Sequence, residues 1–188
     1  MGLCKYSNRG SRVKLFVIYI GGAHEKSVIE LHDMRFVIAN TIEETYEILR
    51  KSWWGIPSSL HLDAWGILNY ADGHNIVISD CPSKNVMNKL YFVNLGGYDK
   101  HQFTELHKNT FVVATDEHQA KQKAVRQISD WQSPHRDYLH EVDTVLDLNS
   151  LLTSQNRYLH LIETNNKSPF EFTCCYTPIG KVLSRAEI

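Results

Sequence analysis

Two apolar segments with the same pattern lie far apart in the chain. Residues 15–20 and 90–95 are almost continuously apolar, which is typical of strands that are covered on both faces. Each segment is followed by a pair of glycines, and we interpret these as turn residues that end the strand, because glycine adopts positive φ at little cost. The pairs are Gly21 with Gly22 and Gly96 with Gly97.

The likeness extends well beyond these two strands. Lys14 aligns with Lys89 at an offset of 75 residues (89 − 14), and ten of the 26 positions from 14 to 39 are then identical. Chance pairing would give about one or two identities. Farther on, an insertion raises the offset to 80, where Asp63 aligns with Asp143. We therefore interpret the chain as an internal duplication.

Each copy continues with a polar connection, a second strand and a helix. Residues 34–39 and 110–114 have the apolar character of strands. Thr41 followed by Glu44 is a capping-box pattern that predicts the start of the first helix, and Thr115 is the equivalent N-cap in the second copy. Each helix then carries one apolar stripe that ends in a tryptophan. The stripes are Ile42, Tyr46, Leu49 and Trp53, and Ala120, Ala124, Ile128 and Trp131.

The second halves of the two copies are less alike. Asp72 and Gly73 form a dipeptide that is favoured in type I′ turns, so the first copy is predicted to end in a hairpin with residues 60–70 and 75–79 as its arms. In the second copy, residues 157–163 and 170–176 are predicted to pair with each other as an extra C-terminal hairpin.

The order of elements in each copy is β-β-α-β-β, which predicts an α+β fold of two tandem repeats. A β-grasp-like roll is the nearest familiar arrangement. One repeat of this length buries a private core only marginally, so we expect the copies to pack as one pseudo-symmetric body. The predicted boundaries are 14–79 for the first repeat, 80–88 for a linker, 89–177 for the second repeat with its hairpin, and 178–188 for a loosely held tail.

Composition narrows the class of protein. Apolar residues make up 43% of the 188 positions and charged residues 22%, which is typical of a globular chain. The net charge of -1 provides no basic field for nucleic acid, and the longest apolar run is too short to span a membrane. The four cysteines form no C-x-x-C motif, and we interpret them as small buried residues of a cytoplasmic protein.

Both copies carry the tripeptide Glu-Leu-His, in which the carboxylate and the imidazole share one face of a strand. Such a pair can ligate a divalent metal or transfer a proton, and an aspartate from the offset-80 alignment could complete the site. A structural hydrogen bond between the two residues is the other interpretation. The candidate ligand or metal residues are Glu30, His32, His61 and Asp63 in the first copy, and Glu105, His107 and Asp143 in the second.

No motif in the sequence assigns an activity or a catalytic residue. The first hypothesis is a non-catalytic binding or protein-interaction module, which takes a small ligand or a protein partner between the copies or at a sheet edge. The alternative is a metal-dependent enzyme that uses the Glu/His/Asp cluster of the first copy. No cofactor is predicted, although a divalent metal fits the alternative. A homodimer stays open, whereas nucleic-acid and membrane partners are not expected.

The sequence resembles the bacterial family known as domain of unknown function 1543. In the first copy the likeness is carried by residues 15–22, 30–33, 35–37 and 61–65. In the second copy it is carried by residues 90–97, 105–107 and 111–112. The resemblance implies a bacterial, cytoplasmic protein with one or two copies of a short unit, and it implies no activity. The second copy departs from the pattern at Lys108, Thr110 and Val145, so a site that depends on Asp33, Arg35 and Trp65 belongs in the first copy.

Overall fold

A computed structural model describes residues 13–83, 87–99, 101–127 and 141–180, without the side chains at positions 141 and 143. Within these residues the fold is α+β with antiparallel strand pairs, as the sequence predicts. The strands are β1 (Lys14–Gly22), β2 (Leu31–Ala39), β3 (His61–Ile67), β4 (Tyr70–Ala71), β5 (His74–Ser79), β6 (Lys89–Tyr98), β7 (Glu105–Ala114), β8 (Glu141–Asp147), β9 (Tyr158–Glu163) and β10 (Phe172–Pro178). The α-helices are α1 (Tyr46–Ser52), α2 (Glu117–Gln127) and α3 (Leu148–Thr153), and short 3-10 turns lie at Glu43–Thr45 and Pro57–Ser59.

The chain forms two compact units that do not follow its linear order. The first unit contains Met1–Asn69 together with Ser168–Ile188, and the second contains Tyr70–Lys167. The repeat boundaries predicted at residues 79 and 178 are therefore not the boundaries of the compact units. The predicted repeats follow the order of the sequence, whereas each compact unit contains the segments that contact one another in the fold.

The first unit is built on a four-stranded sheet with the order β10-β3-β1-β2, called here the first sheet. Its core lies on one face of β1, where Phe16, Ile18 and Ile20 are almost completely buried. Leu49 and Trp53 from the helical segment pack against the same face. Burying each such side chain contributes about 1.5–3 kcal/mol, and the prediction that Trp53 belongs to the core is confirmed.

The second unit contains two three-stranded sheets. The second sheet has the order β4-β5-β9 and the third sheet the order β7-β6-β8. Helix α2 packs on β6 through the fully buried Ala120 and Ala124. Ile128 and Trp131, the other members of the predicted stripe, lie outside the described residues.

Strand pairing in the first and third sheets follows one register. Lys14 pairs with Ala39 and Lys89 with Ala114, which keeps the offset of 75 on both strands. The pairing of β1 with β3 shifts by one residue between Tyr19 and Ile20, and the pairing of β6 with β8 shifts at the equivalent point. The extra residues at these bulges are Asp63 and Asp143.

The predicted C-terminal hairpin is wrong. Strand β9 pairs with β5, and β10 pairs with β3. Apolar alternation marks a strand but does not identify its partner, and here both partners are distant in sequence. The predicted loose tail is also wrong at its start, because Ile179 is buried in the first core and the backbone amides of Ile179 and Gly180 both donate to the Leu60 carbonyl. Residues 181–188 lie outside the described part.

The glycine pairs do not form turns. Gly21 and Gly22 lie inside β1, and Gly96 and Gly97 lie inside β6. Among the described residues, the glycine with positive φ is Gly73, at 80°. Together with Asp72, at 45°, it forms the predicted turn between β4 and β5. The long first arm predicted for this hairpin is wrong, because within residues 60–71 only Tyr70 and Ala71 pair with β5, whereas β3 pairs with β1 and β10.

Both predicted helix starts are displaced, that of the first α-helix by four residues and that of the second by one. Glu44 accepts a hydrogen bond from the backbone amide of Asn40 rather than capping a helix with Thr41. A 3-10 turn intervenes, so α1 begins only at Tyr46. In the second helix Asp116, not Thr115, accepts from the amide three residues ahead, that of Gln119.

The cysteine interpretation is only partly right. Cys174 and Cys175 are free thiols, and Cys174 is exposed rather than buried. Cys81 is disulfide-bonded, which contradicts a uniformly reduced set. In the described part of the chain, none of the helices has both the length and the apolar character needed to cross a lipid bilayer.

Candidate functional site

Four of the predicted candidates meet on the first sheet. The His/carboxylate cluster consists of Glu30, His32, His61 and Asp63, in which imidazoles and carboxylates alternate. His32 Nε2 lies 3.6 Å from Glu30 Oε2 and 3.3 Å from Asp63 Oδ2. His61 Nε2 lies 3.2 Å from Glu30 Oε1 and 3.3 Å from Asp63 Oδ1. Each carboxylate therefore bridges the two rings, with one oxygen toward each.

Strand register brings these side chains together around Gly21. His32 on β2 and His61 on β3 are both paired with Gly21 on the central strand β1, so the two rings flank it on one face. Glu30 lies two residues before His32 and shares its face. Asp63 is the extra residue of the β3 bulge, and bulges commonly re-aim a side chain beside a functional site.

Gly21 is needed for space and not for a turn. A Cβ at this position would lie 2.7 Å from both Asp63 Oδ2 and His61 Nε2, and 2.9 Å from the His32 ring. These separations are too short for non-bonded atoms, so a side chain here would displace the cluster. Gly22 faces the other way, because its Cβ would lie 2.7 Å from the Trp53 ring.

His61 carries the most informative contact in the cluster. It is 1% exposed, and its Nδ1 lies 2.8 Å from the Ser59 carbonyl oxygen. Since a carbonyl only accepts, Nδ1 carries the hydrogen, and the lone pair of the neutral ring lies on Nε2. Nε2 and Asp63 Oδ2 are buried without a hydrogen-bond partner, although they are within ion-pair distance of their neighbours. In that tautomer the Nε2 lone pair points toward the carboxylates of Glu30 and Asp63, an arrangement that suits a bound cation.

Two tyrosines flank the cluster, and sequence reasoning missed both. Tyr19 stacks on His32 with ring centroids 5.2 Å apart, and Tyr176 contacts His61 at 4.4 Å. Burial raises the pKa of Tyr19, and the charges of Asp63 and Asp33 raise it further. Tyr19 could have been found from the sequence, since it lies two residues before Gly21 and therefore on the same face of the strand. Tyr176 had none, because it comes from the distant strand β10.

The cluster is enclosed on one side and accessible on the other. The His61 side chain is 2% exposed, whereas those of His32 and Glu30 are 35% and 45% exposed. A ligand could therefore reach the buried Nε2 past the outer pair. In the part of the chain that the structure describes, there is no group of three or more His, Cys, Asp or Glu side chains arranged to hold a metal ion. Metal binding here would consequently need rotation of side chains.

The candidates of the second copy are brought together only in part. Glu105 and His107 lie on β7, with His107 Nε2 3.8 Å from Glu105 Oε2, and both are exposed. His107 pairs with Gly96, as His32 pairs with Gly21. Asp143 is at the β8 bulge, but its side chain lies outside the described residues.

The comparisons with known proteins agree with this architecture. A search of curated proteins gives no match. The chain is similar to the crystal structure of protein Il1583 from Idiomarina loihiensis, with 30% sequence identity, a TM-score of 0.68, and coverage of 90% of this chain and 99% of that chain. The model of the family described as Domain of Unknown Function (DUF1543) matches residues 27–78, which include all four residues of the His/carboxylate cluster. The chain belongs to this DUF1543 family.

Proposed function

We propose that the protein is a binding module that takes a cation, or the cationic group of a small ligand, at the His/carboxylate cluster. The observation that carries this proposal is the buried Nε2 of His61, which has no hydrogen-bond partner and faces the carboxylates of Glu30 and Asp63. A buried polar atom without a partner costs free energy, and two neighbouring negative charges add to that cost. A bound cation would satisfy all three groups.

The surroundings support a ligand rather than a buried structural network. Glu30 and His32 are partly exposed, so the site opens to solvent, while Gly21 leaves room where any other residue would fill it. The rings of Tyr19 and Tyr176 border the same face, and aromatic faces attract cations.

The test compares cations of different chemistry on the untagged full chain. Thermal unfolding is followed with Zn²⁺, Mn²⁺, Mg²⁺, Ca²⁺, ammonium and spermidine at constant ionic strength. A cation that binds only the folded state raises the melting temperature, and above Kd the increase follows the logarithm of the cation concentration. We expect at least one of these cations to stabilise the protein, and Glu30→Gln to weaken its binding by at least about tenfold.

Glu105→Gln is the matched control, because it removes the corresponding carboxylate of the third sheet. Its affinity for the cation should equal that of the unmodified protein. The proposal fails if none of the six cations changes the melting temperature, or if Glu30→Gln and Glu105→Gln behave alike.

Neither the family model nor the solved structure names an activity, so the comparisons do not favour the alternative of a metal-dependent enzyme. We also propose that the chain descends from a tandem duplication, which the shared register and the equivalent bulges support. The β-grasp-like roll, the pseudo-symmetric packing, the bacterial origin and the choice between monomer and homodimer stay predictions. So does the cytoplasmic location, although the disulfide at Cys81 weighs against it, because such bonds persist in oxidising compartments.

A further inference from the structure

We infer that the cation at the His/carboxylate cluster is a transition-metal ion of the zinc class, held by His61, His32, Asp63 and Glu30. This inference rests on the proposed function and names the ligand of the same site. It excludes alkaline-earth ions and organic ammonium groups as the preferred occupants.

The donor atoms favour this class of metal. The cluster offers two imidazole nitrogens and two carboxylates, and imidazole suits zinc, copper, iron and nickel, whereas magnesium and calcium prefer oxygen ligands alone. The Nε2-to-oxygen separations are 3.2, 3.3, 3.3 and 3.6 Å. Tetrahedral zinc with bonds near 2.1 Å places its ligand atoms about 3.4 Å apart. The four separations here involve four different oxygens, so each carboxylate must turn one oxygen toward both rings before the ligands can surround an ion.

The hydrogen bond at Nδ1 of His61 is of the kind that metal-bound histidines make with their other ring nitrogen. A metal-bound histidine usually donates its other ring N–H to a carboxylate or a backbone carbonyl, which fixes the tautomer and aims the lone pair at the metal. The Ser59 carbonyl accepts from Nδ1 of His61 at 2.8 Å and does this here. The ring is also held by Tyr176 on its face, so the orientation of Nε2 is set before any ion arrives.

The outer ligands can complete the site by moving. As the side chains stand, they do not yet hold a metal geometry in the described part of the chain. Glu30 is the most exposed member and lies just before β2 rather than within it, so it has more freedom to rotate than His32, which is partly exposed but stacked on Tyr19. His61 and Asp63 would form the fixed half of the site, and Glu30 and His32 would close over the ion from the solvent side.

The experiment is a titration of the untagged, metal-free full chain with Zn²⁺ by calorimetry and with Co²⁺ by visible absorption. Tetrahedral Co²⁺ gives intense visible bands that report imidazole and carboxylate coordination. We expect one equivalent of either ion to bind, and Zn²⁺ to displace Co²⁺ with loss of the bands. His32→Ala should weaken binding at least about 100-fold and abolish the Co²⁺ bands, while His107→Ala, its counterpart on β7, leaves both unchanged.

His32 is chosen because it is partly exposed, and circular dichroism confirms that each variant is folded. Glu30→Gln provides a second, nearly isosteric variant, which should lower Zn²⁺ affinity while keeping the fold. If Mg²⁺, Ca²⁺ or an ammonium ion binds at the cluster and Zn²⁺ and Co²⁺ do not, this inference is wrong and the proposed function stands. If no cation binds, both are wrong. Zn²⁺ binding that His32→Ala does not weaken places the ion elsewhere and also overturns the inference.

Discussion

The first and third sheets use one backbone plan with different side chains. Each has a central strand with a glycine pair, a neighbouring strand with Glu-Leu-His, and a third strand with an aspartate at a bulge. The position of His61, paired with Gly21, is taken by Glu141, paired with Gly96. In the first sheet both residues paired with the central glycine are histidines. In the third sheet one is a histidine and the other is a glutamate.

This difference separates what the fold requires from what the site requires. The bulges and glycine pairs occur in both sheets, so they belong to the common framework. Of the two equivalent positions, 61 and 141, only position 61 holds a histidine. Its ring is buried and bonded to a backbone carbonyl. The backbone plan is therefore common to both sheets, whereas the buried imidazole on which the proposed site depends belongs to the first sheet alone.

The largest expected effect concerns the two helices. Leu49 and Ala124 occupy equivalent positions at the offset of 75, and both are fully buried. Leu49→Ala should leave a cavity under α1 and lower the free energy of unfolding by about 2–5 kcal/mol. Ala124→Leu should overpack the closer contact under α2 and cost about 1–3 kcal/mol. Urea unfolding followed by circular dichroism measures both.

Exposed Ile48, next to Leu49 on α1, serves as the control, and Ile48→Ala should change the unfolding free energy by less than about 0.5 kcal/mol. An Ala124→Leu variant as stable as the unmodified protein would show that α2 has spare space, contrary to the close packing described here.

The next effect concerns the centre of the cluster. Gly21→Ala places a methyl group 2.7 Å from His61 Nε2 and Asp63 Oδ2, and should lower the free energy of unfolding by about 1–3 kcal/mol. The same change should prevent cation binding, because the new carbon takes the space between the ligands. Glu25→Ala, on the exposed connection that follows, should alter neither property. Undiminished binding by Gly21→Ala would mean that the cluster is not the binding site.

The smallest effect concerns a contact that the first sheet lacks. Ile67 pairs with Phe16, whereas the equivalent Asp147 receives hydrogen bonds from Lys89 Nζ at 2.8 Å and from Ser150. Asp147→Asn keeps a good N-cap for α3 and should cost about 1 kcal/mol or less. Asp147→Ala also removes the cap and should cost about 1 kcal/mol more.

The pH dependence of this pair has a definite sign. Burial raises the pKa of Asp147, but the hydrogen bonds from Lys89 and Ser150 outweigh it, so the pKa lies below its ordinary value. A carboxyl with a lowered folded-state pKa contributes stability above its unfolded pKa and loses it as pH falls through the folded pKa. Below about pH 4, the difference in stability between the unmodified protein and Asp147→Asn should shrink. A difference that grows on acidification would contradict this assignment.

Local patterns predicted much of this architecture. Continuous apolar runs identified β1 and β6, and the Asp72-Gly73 dipeptide identified the hairpin turn, because both signals depend on neighbouring residues alone. The Glu-Leu-His repeat pointed to Glu30 and His32 for the same reason. The sequence could not show that β10 pairs with β3, or that Tyr176 covers His61, since these contacts join residues more than a hundred positions apart. The role of the Ser59 carbonyl was also inaccessible, because a backbone atom leaves no mark in the sequence.

The crossing of the chain between units has a consequence for its synthesis. Once residue 67 has left the ribosome, three of the four strands of the first sheet exist, but β10 and the buried Ile179 are still to be made. Strand β3 then has an unpaired edge throughout the translation of residues 70–167, and such an edge is a template for pairing with other chains. Nascent chains stalled in this interval should therefore be the species most dependent on chaperones.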